Sequence, residues 1–172
     1  HSFMLVRKII RDDNVNYKRT ALFVGIGDCD WKCCKEAGMN ASMCQNSELA
    51  KVSAWKMTAN ECLDVVVHRK SFEQSLVIGG LEPFRDMNSL LELCSAVSSR
   101  CEFVDWDVVI YTGYYYNEIV EEVELIKESV GNHRLIIKFG RYDPALPSVK
   151  DSILGVELAS SNQYAKIIKE KK

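Results

Sequence analysis

Four apolar runs of strand length recur along the chain: "RTALFVGIG" at 19–27, "QSLVIGG" at 74–80, "WDVVIYTGY" at 106–114 and "RLIIKFGRY" at 134–142. Such runs suit strands buried on both faces. Helix-like stretches separate them. "TANECLDVVVHRKSF" (58–72) opens on Thr58 with Glu61 three residues on, a capping box ahead of apolar Leu63, Val66 and Val67. "DMNSLLELCSAVSSR" (86–100) starts from an Asp86 cap, and "NEIVEEVELIKES" (117–129) keeps the helical period. Strand and helix in alternation imply right-handed crossovers and a mostly parallel sheet with helices outside. Working residues are then expected at the C-terminal ends of the strands.

The flanks carry less signal. "FMLVRKII" near the start reads as an edge strand or a short lead-in. From Asp143 the stretch "DPALPSVKDSILGVELASSNQ" (143–163) has two prolines and little periodicity, so it is expected to be a long loop before a last short segment, "YAKII". Residues 1–3 read as an expression remnant ahead of a native start at Met4, which leaves a single domain over 4–172. With 22 basic and 24 acidic side chains, the net charge of −2 gives no electrostatic case for nucleic acid or an anionic membrane. No apolar run is long enough to span a bilayer.

Four of the seven cysteines fall in "CDWKCCKEAGMNASMC", residues 29–44, directly after the first buried run. A domain of this length buries a core without covalent staples, and an odd cysteine count with no signal segment fits a reduced, cytoplasmic protein. Buried core thiols suit the segment poorly, because Asp28, Asp30, Lys32, Lys35 and Glu36 surround them. Zinc sites usually come as two separated Cys-x2-4-Cys knuckles, and here there is one cramped group and one outlier. Thiolates gathered in one loop can hold an iron–sulfur cluster, and three ligands would leave one iron open. Cys62 and Cys94 fit helix faces as core residues, Cys101 a turn. His68 and His133 lack partners that would make a base.

After the second run comes "GGLEP". Two glycines let backbone approach a ligand closely, and a carboxylate just beyond can accept from an ammonium; an ordinary tight turn is the plainer reading. "YTGYYY" stands at the next strand end, with Tyr115 and Tyr116 expected as exposed aromatics.

In this order, a strand ending in Gly, Cys-x3-Cys, a further Cys, a helix, a strand and a Gly-Gly-Glu-Pro-like turn, the chain resembles the radical S-adenosylmethionine superfamily. It is most similar to the small activating proteins of anaerobic ribonucleotide reductase: "CQNS" (44–47), "YTGYYYNEI" (111–119), "FGRY" (139–142) and "ASSNQ" (159–163) match their segments in sequence. The resemblance implies a 4Fe-4S cluster held by Cys29, Cys33 and Cys44, with Cys34 the rival of Cys33 for the second place. It implies S-adenosylmethionine bound by Gly79, Gly80 and Glu82, with Tyr111 and Thr112 near the ribose. Lys138 and Arg141 end the next strand, where they are either partners for the cofactor carboxylate or solvated basic side chains. Reductive cleavage to a 5'-deoxyadenosyl radical needs no protein acid or base, so no catalytic side chain is assigned. The implied partners are a glycyl radical enzyme and an electron donor such as flavodoxin or ferredoxin. The expected fold is α/β: a partial (β/α) barrel, since a chain this short can form only part of one, open on one side. Two departures stand out: Glu36 where the compact family spacing has its third cysteine, and Leu81 inserted in the Gly-Gly-Glu-Pro turn. They leave room for a radical S-adenosylmethionine enzyme acting on a small molecule or peptide, or for a non-catalytic iron–sulfur or zinc module.

Overall fold

The computed structural model describes residues 3–28, 54–67 and 72–172. Its first strand, β1 (Met4–Asp13), is neither a lead-in nor an edge along its whole length. It pairs antiparallel with β2 (Ala21–Ile26) on one side and with the short β3 (Trp55–Met57) on the other. The two ladders meet at one residue: Val6 faces Ile26 across one and Trp55 across the other. The end of β2 and the start of β3, the described strand ends on either side of the cysteine segment, thus both flank Val6.

Beyond β2 the order follows the chain. β4 (Ser75–Gly80), β5 (Asp107–Tyr111) and β6 (Leu135–Phe139) pair successively in parallel, and β9 (Tyr164–Lys169) closes that side antiparallel to β6. The order across the seven strands is β3-β1-β2-β4-β5-β6-β9. The stretch expected as a long loop contains a small hairpin, β7 (Val149–Asp151) with β8 (Val156–Leu158). Strands of three residues are too short to show a period-2 pattern. A turn holds this one, with the Asp151 carboxylate accepting from the Leu154 amide at 2.9 Å and Gly155 at φ +72°.

Helices α1 (Ala59–Val67), α2 (Met87–Ser99) and α3 (Val120–Ser129) pack on one face of the sheet. Their starts follow from the sequence. The Thr58 hydroxyl accepts from the Glu61 amide at 3.1 Å while Glu61 reaches back to the Thr58 amide at 3.0 Å, and Asp86 accepts from Ser89 at 3.2 Å. The faces they bury, with Leu63, Leu90, Leu93, Val97 and Ile126, meet Leu22, Val24, Leu76, Ile78, Val108 and Ile137 of the strands. Each such side chain gains about 1.5–3 kcal/mol from leaving water. Truncation of Leu93 to Ala would cost about 2–5 kcal/mol.

The other face is covered differently. Tyr17, Leu154 and Leu158 pack on Ala21, Val77, Val109, Ile136 and Ala165. The Tyr17 hydroxyl donates to buried Asp107 at 2.8 Å, and Arg19 pairs with the same carboxylate at 3.0 Å. This closes the N-terminal half of the face. Among the described residues no helix is long and apolar enough to cross a membrane.

Candidate cluster and cofactor site

At the C-terminal half of the non-helical face, Gly25 of β2 sits beside Gly79 of β4, and Tyr111 of β5 beside Lys138 of β6. A Cβ on Gly79 would touch the Phe23 ring at 3.1 Å and lie 3.6 Å from the Tyr111 Cβ. Gly80 has a different reason to be glycine. Its φ is +102°, and a Cβ there would come within 2.9 Å of the Gly25 Cα. The close backbone approach that the structure describes at Gly80 is between β2 and β4. Gly25 was missed in the sequence, although a glycine inside a strand run marks close backbone approach.

Glu82 forms the centre of the site. Leu81 does not turn it away from the β5 rim: the carboxylate is buried and lies across the end of β5. Oε1 accepts from the Gly113 amide at 2.7 Å, Oε2 from the Phe84 amide at 3.0 Å, and the Thr112 hydroxyl lies 2.9 and 2.8 Å from the two oxygens. The Tyr114 amide donates to that hydroxyl at 3.0 Å and fixes its orientation. Burial pushes the Glu82 carboxyl above the ordinary glutamate range, although the Gly113 and Phe84 amides, the Thr112 hydroxyl and the charge of Lys138 all act to lower it. A ligand ammonium beside the carboxylate would favour its ionised form.

The backbone of Glu82 is tied to the cysteine segment. Its amide donates to the Asp28 carbonyl at 2.7 Å, and Asp28 is the residue before Cys29. Gly27 makes this possible: at φ +84°, a Cβ there would collide with the Glu82 carbonyl. Arg7 donates to the Gly27 carbonyl at 2.9 Å, and Arg85 pairs with the Asp28 carboxylate. Asp28, Gly27 and Gly113 are site residues that the sequence did not single out. Gly27 alone carried a signal, as the glycine closing a buried run.

The remaining candidates divide. Lys138 is buried, donates to the Gly140 carbonyl at 3.1 Å and lies 5.7 Å from the Tyr111 ring centroid. Tyr111 faces the same space, its hydroxyl donating to the Asn16 carbonyl. Arg141 lies outside this pair. It forks onto Glu118 at 2.8 and 3.3 Å, donates to the Gly113 carbonyl at 3.2 Å and stacks on Tyr115. Tyr115 and Tyr116 are packed, contrary to expectation: Tyr115 under Arg141, Tyr116 edge-on to Phe139. "ASSNQ" docks here as well, the Asn162 amide donating to Arg141 O at 2.6 Å and to the Tyr115 hydroxyl at 2.8 Å.

Cys29, Cys33, Cys34 and Cys44 lie outside the described residues, as does His68. Cys62 and Cys94 are buried and Cys101 is exposed. His133 is a core residue whose Nδ1 bonds the Trp106 carbonyl at 2.6 Å. Among the described residues no group of three His, Cys, Asp or Glu gathers as a metal site.

Searches of curated proteins and of solved structures gave no match. Residues 18–164 match the family described as "4Fe-4S single cluster domain". That match starts ahead of β2 and takes in the cysteine segment, the "GGLEP" turn and the "ASSNQ" stretch, so the chain belongs to the 4Fe-4S single cluster domain family and is an iron–sulfur protein.

Proposed function

We propose that this chain is a radical S-adenosylmethionine oxidoreductase of the glycyl-radical activating type, working in the cytoplasm on a partner such as anaerobic ribonucleotide reductase. The observation that carries the reading is the bond from the Glu82 amide to the Asp28 carbonyl. It ties the residue that carries a buried carboxylate, a group suited to an ammonium, to the residue before Cys29. Cys29, Cys33 and Cys44 would hold the cluster, which would supply the electron for reductive cleavage of S-adenosylmethionine and so for hydrogen-atom abstraction from a partner glycine.

The chain's own residues have binding and shielding roles. Glu82 takes the ligand ammonium, held in place by Thr112 and by the Gly113 and Phe84 amides. Lys138, whose charge acts on Glu82, is the partner for the ligand carboxylate, with the Tyr111 ring beside it. The proposed architecture is a partial barrel whose parallel strands β2, β4, β5 and β6 present these groups at one rim, closed by the substrate protein and served by a flavodoxin- or ferredoxin-type donor.

Anaerobic reconstitution, iron and sulfide analysis, and a 5'-deoxyadenosine assay test the reading. Four irons per chain with cleavage of S-adenosylmethionine, faster when the partner is added and accompanied by a glycyl radical signal in electron paramagnetic resonance, is the expected result. A cluster without cleavage would instead make the chain an iron–sulfur binding module.

A further inference from the structure

Arg141 was a candidate ligand for the cofactor carboxylate, but its contacts give it another job. Its guanidinium is spread over the Glu118 carboxylate, the Gly113 carbonyl and the Tyr115 ring. Gly113 stands between Arg141 and Glu82: a Cβ there would lie 3.5 Å from the Arg141 Cγ and 3.5 Å from Glu82 Oε1. The carbonyl of Gly113 faces the arginine while its amide donates to Glu82. On the outer side, Asn162 holds the Arg141 backbone and the Tyr115 hydroxyl together. Four distant parts of the chain thus meet in one relay, Asn162 to Arg141 to Gly113 to Glu82.

We infer that Arg141 is a positioning residue: paired with Glu118 and buttressed by Asn162, it fixes the Gly113 peptide and through it the direction of the Glu82 carboxylate, and it does not touch the cofactor. The inference rests on the reading of Glu82 as the ammonium site. It also gives the C-terminal "ASSNQ" stretch a role, as the outer support of that site. Glu118 Oε1 also accepts from the Tyr115 amide at 2.8 Å, so a glutamine there can keep the local cap while it removes the charge and the second acceptor of the arginine fork.

The two roles of Arg141 predict opposite results for Glu118→Gln. If Arg141 positions, losing its partner loosens the relay, and Glu118→Gln weakens S-adenosylmethionine binding to the reconstituted protein about tenfold, as Arg141→Gln does. The double variant is then no worse than Arg141→Gln alone, because the two act as one unit. Arg141→Lys, which keeps the charge but not the fork, falls between. Asn162→Ala weakens binding in the same direction. If Arg141 instead binds the ligand directly, Glu118→Gln frees the guanidinium and leaves binding unchanged or tighter, which overturns the inference.

Amide hydrogen exchange over residues 111–118, read by mass spectrometry without ligand, separates this from the functional reading. Faster exchange in both single variants supports the relay even if the wild type binds no S-adenosylmethionine, in which case the proposed function alone falls. Unchanged exchange in both removes the relay.

Discussion

The Cα of Gly25 lies 2.9 Å from the point where Gly80 would carry a Cβ, so these two glycines let β2 and β4 meet closely at the rim that holds Glu82. With φ at +102°, Gly80 cannot be exchanged for a side-chain-bearing residue without strain or a backbone shift.

Gly80→Ala is therefore expected to lower stability by about 1–3 kcal/mol, read as a drop in the urea midpoint, before any question of ligand binding arises. Gly113→Ala serves as the contrast: its Cβ would have ordinary contacts, and its urea midpoint should stay close to wild type. Equal stability of Gly80→Ala and wild type would contradict this account of β2–β4 packing.

Glu82 should give the fold an unusual acid response. Burial raises its carboxyl above the ordinary glutamate value, so the folded state holds its proton where the unfolded chain has released it. Stability from this group is full below the unfolded value and is lost as pH rises through the folded one. In that window wild type should gain stability on acidification relative to Glu82→Gln, seen in parallel urea titrations. Binding of an ammonium ligand runs the other way, since it needs the ionised carboxylate. Affinity should fall across the same window, and calorimetry in buffers of different ionisation enthalpy should show proton release on binding.

How far the sequence could be read depends on how local each signal is. The Thr58–Glu61 and Asp86 caps are written in a few adjacent residues, and the structure forms both. Glu82 stood out as a candidate because two glycines and a strand precede it. Its actual partners, Gly113 and Phe84, act through backbone amides that leave no mark in residue identity. The commitment of Arg141 to Glu118 joins positions from two separate units, which only the register of β5 and β6 brings together. β3 and the β7–β8 hairpin are three-residue strands defined by their partners.

Thiol chemistry offers a check that needs no cluster assignment. Burial pushes the Cys62 and Cys94 thiols up to about 12, while Cys101 is exposed. At pH 8 the thiolate fraction of a thiol at that value is about a thousandfold below that of an ordinary cysteine. Timed iodoacetamide labelling with peptide mapping should modify Cys101 in the native protein, and Cys62 and Cys94 only once it unfolds. Rapid native labelling of Cys94 would show that α2 is not packed as described.

For the cluster, single replacement of Cys29, Cys33 or Cys44 by Ala should abolish the visible charge-transfer absorption after reconstitution, whereas Cys34→Ala should keep most of it. Loss in Cys34→Ala with retention in Cys33→Ala would exchange the two assignments.

Because Val6 faces both Ile26 and Trp55, the strand ends on either side of residues 29–53 are held two strand spacings apart, about 10 Å. A chain closed between fixed ends is tolerant of its own length: each doubling costs only about 0.6 kcal/mol in closure entropy. Lengthening the chain between Ile26 and Trp55 should therefore cost the fold little, and the pairing of β1 with β2 and β3 is compatible with a shorter or a longer connection in the same register.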